Sequence, residues 1–203
     1  MEIVLVAVFS YLCGSIPFGL ILTKIFSKQD IREIGSGNIG ATNVLRTGNK
    51  YLAFATLFLD ILKGYIPVLM AKHFFPELLQ LSALLAFLGH LFPVWLKFNG
   101  GKGVATFLGI LFALSYGLAA LFIFTWLTVS LIFKYSSLSS IFSSLTVFIV
   151  TLITEKVTFA ISPNTYEKGD LKLLLFIILI LIIFTHRKNI SKLKNGTEQK
   201  LKL

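Results

Sequence analysis

Charge and cysteine are what this sequence has least of. Only 14% of its 203 residues are charged, and nine acids stand against 19 Lys and Arg. With 56% hydrophobic residues and a mean hydropathy of +0.85, that scarcity excludes a soluble globular domain and points to an integral membrane protein. The one cysteine, Cys13, lies inside an apolar run, so no intrachain disulfide and no redox chemistry is expected. Soluble domains, internal repeats and low-complexity tracts are missing too. The net charge of +10 suits basic loops on the cytoplasmic face of a membrane better than nucleic-acid binding. The first apolar run follows Glu2 and has neither a basic lead-in nor a small-residue cleavage site. It reads as a span with its amino terminus outside, and not as a secretory signal.

Apolar runs cover residues 3–26, 51–74, 78–98, 104–133, 137–154 and 171–185. The fourth is too long for one ordinary span: as a single helix it would measure about 45 Å, against a hydrocarbon core of about 30 Å. The positive-inside rule decides how it divides. A break near Ser115 and Gly117 puts Lys24, Lys28, Arg32, Arg46, Lys50, Lys97, Lys102, Lys134 and the six basic residues from 187 to 202 on one face. Only Lys72, Lys156, Lys168 and Lys172 fall on the other, a split of 14 to 4. An unbroken helix spreads the charges almost evenly. The sequence therefore predicts a single all-α membrane domain of seven helices or half-helices, with the amino terminus outside and the carboxyl terminus cytoplasmic. Residues 104–114 would be the half-helix, 27–50 the first cytoplasmic loop, 99–103 a Gly-rich loop, and 186–203 a tail opening with a short surface helix.

Three polar stretches share the basic face: 35–46, 99–106 and 186–198. In the first, Gly35, Gly37 and Gly40 can take positive φ and let N–H groups converge on an anion, Ser36, Asn38, Thr42 and Asn43 add short polar side chains, and Arg46 adds a fork suited to phosphate. In the second, Gly100, Gly101, Lys102 and Gly103 run into the helix expected from Val104, whose amino terminus favours phosphate. This is not a Walker A loop, because Leu96 replaces its first glycine and Gly103 its Ser or Thr. In the third, His186 and Asn189 lie one turn apart. Asp60 and Lys63 also lie one turn apart, but within a span, where charges are paired or functional; His90 reads as a satisfied core histidine. The expected inner face holds only Asp30, Glu33 and Glu198, too few acids for a divalent-metal cage, and no histidine is followed five positions on by Asp. What remains is a metal-free, cofactor-free, phosphate-binding face at a bilayer surface.

The stretches IGSGNIGATNVLR, FLDILKG, GHLFPVWLKFNGGKGVAT, KYSSLSSI and HRKNISKLKNGTEQK, in order over nearly the whole chain, resemble the PlsY family. These bacterial membrane acyltransferases move a fatty acyl group from acyl phosphate to the first hydroxyl of glycerol 3-phosphate. The resemblance implies Ser36, His186 and Asn189 in catalysis, and Arg46, Asn38, Gly100, Gly101, Lys102, Gly103 and Thr106 on substrate phosphate. Asp60, Lys63, His90 and Glu198 would support the site, with either Ser137 or Ser140. It implies glycerol 3-phosphate, acyl phosphate and membrane lipid as partners, and a site facing the cytoplasm from the inner membrane. An organic-phosphate transporter, and an acyltransferase using acyl-CoA or acyl carrier protein, remain as alternatives. Because no acid on that face can orient His186, a substrate phosphate oxygen is the preferred base, with His186 and Asn189 as positioners.

Overall fold

The computed structural model describes residues 1–153 and 171–201. Lys156, Lys168 and Lys202, which enter the charge split, lie outside the described residues. Among the described residues every regular element is helical. These are α1 (Glu2–Ser15), α2 (Phe18–Leu22), α3 (Ala41–Leu45), α4 (Lys50–Phe74), α5 (Leu79–Leu91), α6 (Val104–Leu114), α7 (Tyr116–Phe133), α8 (Ser136–Ile153), α9 (Leu171–Thr185) and α10 (Arg187–Lys194). Four segments are long and apolar enough to cross a bilayer: α4, Pro76–Leu96 around α5, α7 and α8. Two more follow if α1 with Phe18–Ser27, bent by 42°, and α9 with α10, bent by 56°, each count as one span.

The run 104–133 does break. Ser115 is extended, at φ −159° and ψ 119°, and its side chain accepts from the N–H of Leu118, so it ends α6 and caps α7. The chain forms two compact units, Met1–Ala113 and Leu114–Leu203, where the sequence suggests one domain. The division falls at this break.

Small residues assemble the first unit. A Cβ on Gly14 would collide with the carbonyl of Ala86, and one on Gly89 with the carbonyl of Tyr11, so α1 and α5 touch backbone to backbone. Beside that contact, Ser10 and Ser82 share a hydrogen bond of 2.8 Å, and the Tyr11 hydroxyl donates to the carbonyl of Phe92 at 2.6 Å. In the same way, Gly64 faces the carbonyl of Thr106 and Gly109 that of Ile61, which brings α6 onto α4. Two lysines of α4 then satisfy carbonyls exposed where neighbouring helices stop. Pro17 interrupts the first run, and Lys63 Nζ donates to the carbonyl of Ile16 at 2.7 Å. Lys72 Nζ donates to the carbonyl of Ala113 at 3.0 Å. Lys72 is thus a structural ligand of α6 as well as a topology charge.

In the second unit α8 buries a face of Ser137, Ser140, Ser144, Val147 and Thr151. Several of these hydroxyls bond back to the carbonyl four residues earlier, and Trp126 Nε1 on α7 donates to Ser140 Oγ at 3.2 Å. Phe148 and Phe176 join α8 to α9 with centroids 5.5 Å apart. Phe124, Leu131 and Ile132 stay bare on α7, a surface suited to hydrocarbon.

Candidate active site

The first loop is a small folded unit of its own, not a flexible linker. Asp30 caps a short 3-10 turn, accepting from the backbone N–H of Arg32 and pairing with its guanidinium at 2.9 and 2.6 Å. The hydrogen bond from Arg32 holds the Asp30 carboxyl well below the usual carboxylate range. That contribution is complete above the ordinary carboxylate pKa and is lost only as pH falls through the depressed one. Ile31, Ile39 and Val44 turn inward onto Leu20, Leu52 and Ala53, with Leu22, Ile34 and Leu96 against the same cluster. Because Leu96 belongs to the turn leading into the Gly-rich loop, both loops rest on one apolar cluster.

Asn43, 2% exposed, organises the stretch 34–46. Its Nδ2 donates to the carbonyls of Ile31, Ile34 and Asn38 at 2.8–3.0 Å, and its Oδ1 accepts from the N–H of Ser36 at 2.9 Å. Two N–H protons serve three carbonyls, so one bond is shared. This corrects the expectation that the loop's N–H groups converge on an anion. Ser36 donates to Asn43, Gly37 to the carbonyl of Ile34, and Gly40 to Asn38 Oδ1. Asn38, expected on phosphate, accepts within the loop at both its Oδ1 and its carbonyl. Gly35 and Gly37 take φ of 58° and 72°, but Gly40 is extended at φ −84° as the cap of α3. Arg46 crosses Gly35, where a Cβ would come within 3.0 Å of its Cδ, and Ser36 is exposed beside it. The loop therefore presents side chains, not a backbone nest.

The second loop corrects the same idea. Gly100 and Gly101 donate to the carbonyls of Leu91 and His90 at 3.0 and 3.1 Å, closing the end of α5, so their N–H groups do not point at a ligand. Their lack of a Cβ matters more: at Gly100 it would strike the His90 carbonyl, and at Gly101 the His90 imidazole. Gly103 takes φ 81° against the Phe87 ring, and its carbonyl accepts the first bond of α6 from Phe107 at 2.7 Å. The first turn of α6 thus starts directly after Lys102, with N–H groups lacking an intrahelical acceptor. Thr106, expected on phosphate, is fully buried and shares a 3.0 Å hydrogen bond with His90 Nδ1. His90 is buried and satisfied, as the sequence suggests. Asp60 and Lys63 form a buried ion pair at 2.7 Å, with the ammonium also on the Ile16 carbonyl.

In the second unit His186 is 1% exposed and caps α10. Its Nδ1 lies 2.8 Å from the carbonyl of Ile182, an acceptor only, so the proton sits on Nδ1 and a backbone group orients the ring. A backbone carbonyl thus orients the imidazole where the sequence offers no acid to do so. Asn189 Nδ2 donates to Glu198 Oε1 at 2.7 Å, which folds the tail back; the N–H of Leu201 then reaches the carbonyl of Lys134 at 2.7 Å. Ser140 Oγ is occupied by Trp126 and by the carbonyl of Ser136, whereas Ser137 Oγ is buried without a hydrogen-bond partner. Among the described residues no group of three His, Cys, Asp or Glu is clustered as a metal site would require. Asn43 is the contributor that residue chemistry does not single out, since its role lies in the number of its partners.

The family model for glycerol-3-phosphate acyltransferase matches residues 4–196. A glycerol-3-phosphate acyltransferase of Pelagibacter ubique is 52% identical over 203 residues, covering all of both chains. One of Mesorhizobium japonicum is 50% identical over 199 residues, covering 98% of this chain and 96% of its own. Among solved structures, PlsY (YgiH), an integral membrane glycerol 3-phosphate acyltransferase, matches in its glycerol 3-phosphate form with a TM-score of 0.89 and 37% identity, over 99% of this chain and 96% of that one. Its lysophosphatidic acid form matches with a TM-score of 0.85 and 36% identity, over 98% and 95%. On sequence and fold together, the chain belongs to the glycerol-3-phosphate acyltransferase family of the PlsY type.

Proposed function

We propose that this protein transfers a fatty acyl group from acyl phosphate to the 1-hydroxyl of glycerol 3-phosphate, giving lysophosphatidic acid and inorganic phosphate at the cytoplasmic face of a bacterial inner membrane. One observation carries the choice of donor. Two cation-bearing loops, one presenting Arg46 and the other placing Lys102 at the start of α6, rest on a single apolar cluster. Two such loops match two substrates that each carry one phosphate. Family membership sets the transporter reading aside.

An acyl phosphate is a mixed anhydride whose phosphate leaves readily, so the reaction requires no enzyme nucleophile and no metal. The hydroxyl oxygen attacks the acyl carbon, the bond from that carbon to the bridging oxygen breaks, and the proton passes to a phosphate oxygen. Arg46, Lys102, Gly103 and the first turn of α6 offset the charge of the phosphates, most strongly as it builds in the transition state. Ser36 lies beside Arg46 and is assigned to the same anion, whereas Gly100, Gly101, Asn38 and Thr106 shape the loops. In the second unit, His186 and Asn189 are assigned to the attacking hydroxyl, with Glu198 holding Asn189. Of the two serines, Ser137 is the one whose hydroxyl is uncommitted. A backbone carbonyl accepts from Nδ1 and orients His186, and a substrate phosphate oxygen is kept as the base in this reading.

Purified protein in lipid, given glycerol 3-phosphate and either acyl phosphate, acyl-CoA or acyl carrier protein thioester, tests this. Lysophosphatidic acid is expected from acyl phosphate alone. Formation only from a thioester overturns the choice of donor.

A further inference from the structure

We infer that His90 is a positioning residue for the phosphate loop, acting through Gly101 and Thr106 on the orientation of Lys102 between them. The inference rests on the phosphate-binding role proposed for that loop. His90 grips both ends of the segment. On one side its carbonyl accepts the N–H of Gly101 at 3.1 Å, and its ring fills the space a Cβ at Gly101 would need. On the other, Nδ1 shares a 3.0 Å hydrogen bond with Thr106 Oγ1 in the first turn of α6. His90 is 3% exposed and Thr106 is fully buried, so neither reaches solvent. Thr106 is held from behind as well, because Gly64 on α4 leaves room for its carbonyl and methyl group. A buried imidazole in a span is costly unless it is bonded. Here its bonds tie the end of α5 to the beginning of α6 across the loop that carries Lys102. Movement of the ring therefore shifts the cation relative to the helix amino terminus and weakens phosphate binding.

The geometry makes distinctive demands on substitutions. Asn ends its side chain at the reach of Nδ1 and can keep the bond to Thr106; Gln places its amide one bond farther and loses it. His90→Asn is expected to hold the Kd for glycerol 3-phosphate within about threefold of wild type, and His90→Gln to weaken it by about 3- to 10-fold, the range of one net hydrogen bond. The two residues are similar in polarity and size, so a general loss of stability would affect both and lower the active fraction rather than Kd. Gly101→Ala should weaken binding by at least about tenfold, and adding His90→Ala should recover several-fold of that loss by clearing the collision. Equilibrium binding of glycerol 3-phosphate to purified protein in lipid reads every variant without an acyl donor, so failure of the proposed donor would leave this test intact. Equal Kd values for His90→Asn and His90→Gln, or a Gly101→Ala defect that His90→Ala does not relieve, would overturn the inference.

Discussion

Asn43 and Lys102 show how differently two residues of the proposed site depend on the fold. The value of Lys102 is its charge, which is plain in the sequence; that of Asn43 is its five backbone and side-chain contacts, which exist only after folding. Asn43→Ala leaves three carbonyls and the N–H of Ser36 to find other partners, each unpaired group costing about 1–3 kcal/mol where water cannot reach it. Thermal unfolding should move down by several degrees, and activity should fall with it although Asn43 is buried. Lys102→Ala and Arg46→Ala should instead be read in turnover, measured on folded protein. Each removes a charge-assisted contact of about 1.5–3 kcal/mol, or roughly 10- to 150-fold in kcat/KM. Normal kinetics in either variant would remove that residue from the site. His186→Gln should keep measurable turnover, because a positioner can be partly replaced by an amide whereas loss of a general base costs about 10²- to 10⁴-fold. A loss of several thousandfold, with Asn189→Ala mild, would make His186 the base.

Among the elements, α6 is the one whose length is most informative. Eleven residues are too few to cross a bilayer, and the helix is held at both ends: Gly103 starts it beside Lys102, and Lys72 on α4 takes the Ala113 carbonyl where it stops. A cation at the carboxyl end agrees with the helix dipole, as would the anion proposed for the amino end. The break at Ser115 was legible because thirty apolar residues exceed the bilayer and Ser and Gly interrupt them. The consumption of the Gly100 and Gly101 N–H groups was not, because composition cannot say whether a glycine is present to donate or to let a neighbour approach. The pair on α4 makes a separate prediction. Lys63→Met alone leaves the Asp60 carboxylate buried without its partner, a loss of about 3–5 kcal/mol, whereas Asp60→Leu with Lys63→Met should be less harmful than either change alone. Chemical or thermal unfolding in detergent checks the order, and a double variant worse than both singles would contradict it.

For the whole molecule, the bias of positive charge sets the expected orientation. Asn49 and Asn195 should both face the cytoplasm, so a cysteine placed at either, in a Cys13→Ala background, should react with an impermeant label only from that side. Labelling from opposite sides would refute the seven-segment topology. Membrane class and the helical breaks were readable because they rest on hydropathy and on where Ser, Gly and Pro interrupt it. The two units and the inward-facing hydrogen bonds of both loops were not, since they depend on which backbones pack closely. In the proposed reaction a hydroxyl attacks the acyl carbon of acyl phosphate and inorganic phosphate departs with the bridging oxygen. Acyl phosphate carrying a heavy oxygen isotope at the bridging position tests it directly. All of the label should appear in the released phosphate and none in the lysophosphatidic acid; label in the ester, or turnover without phosphate release, would rule out this reaction.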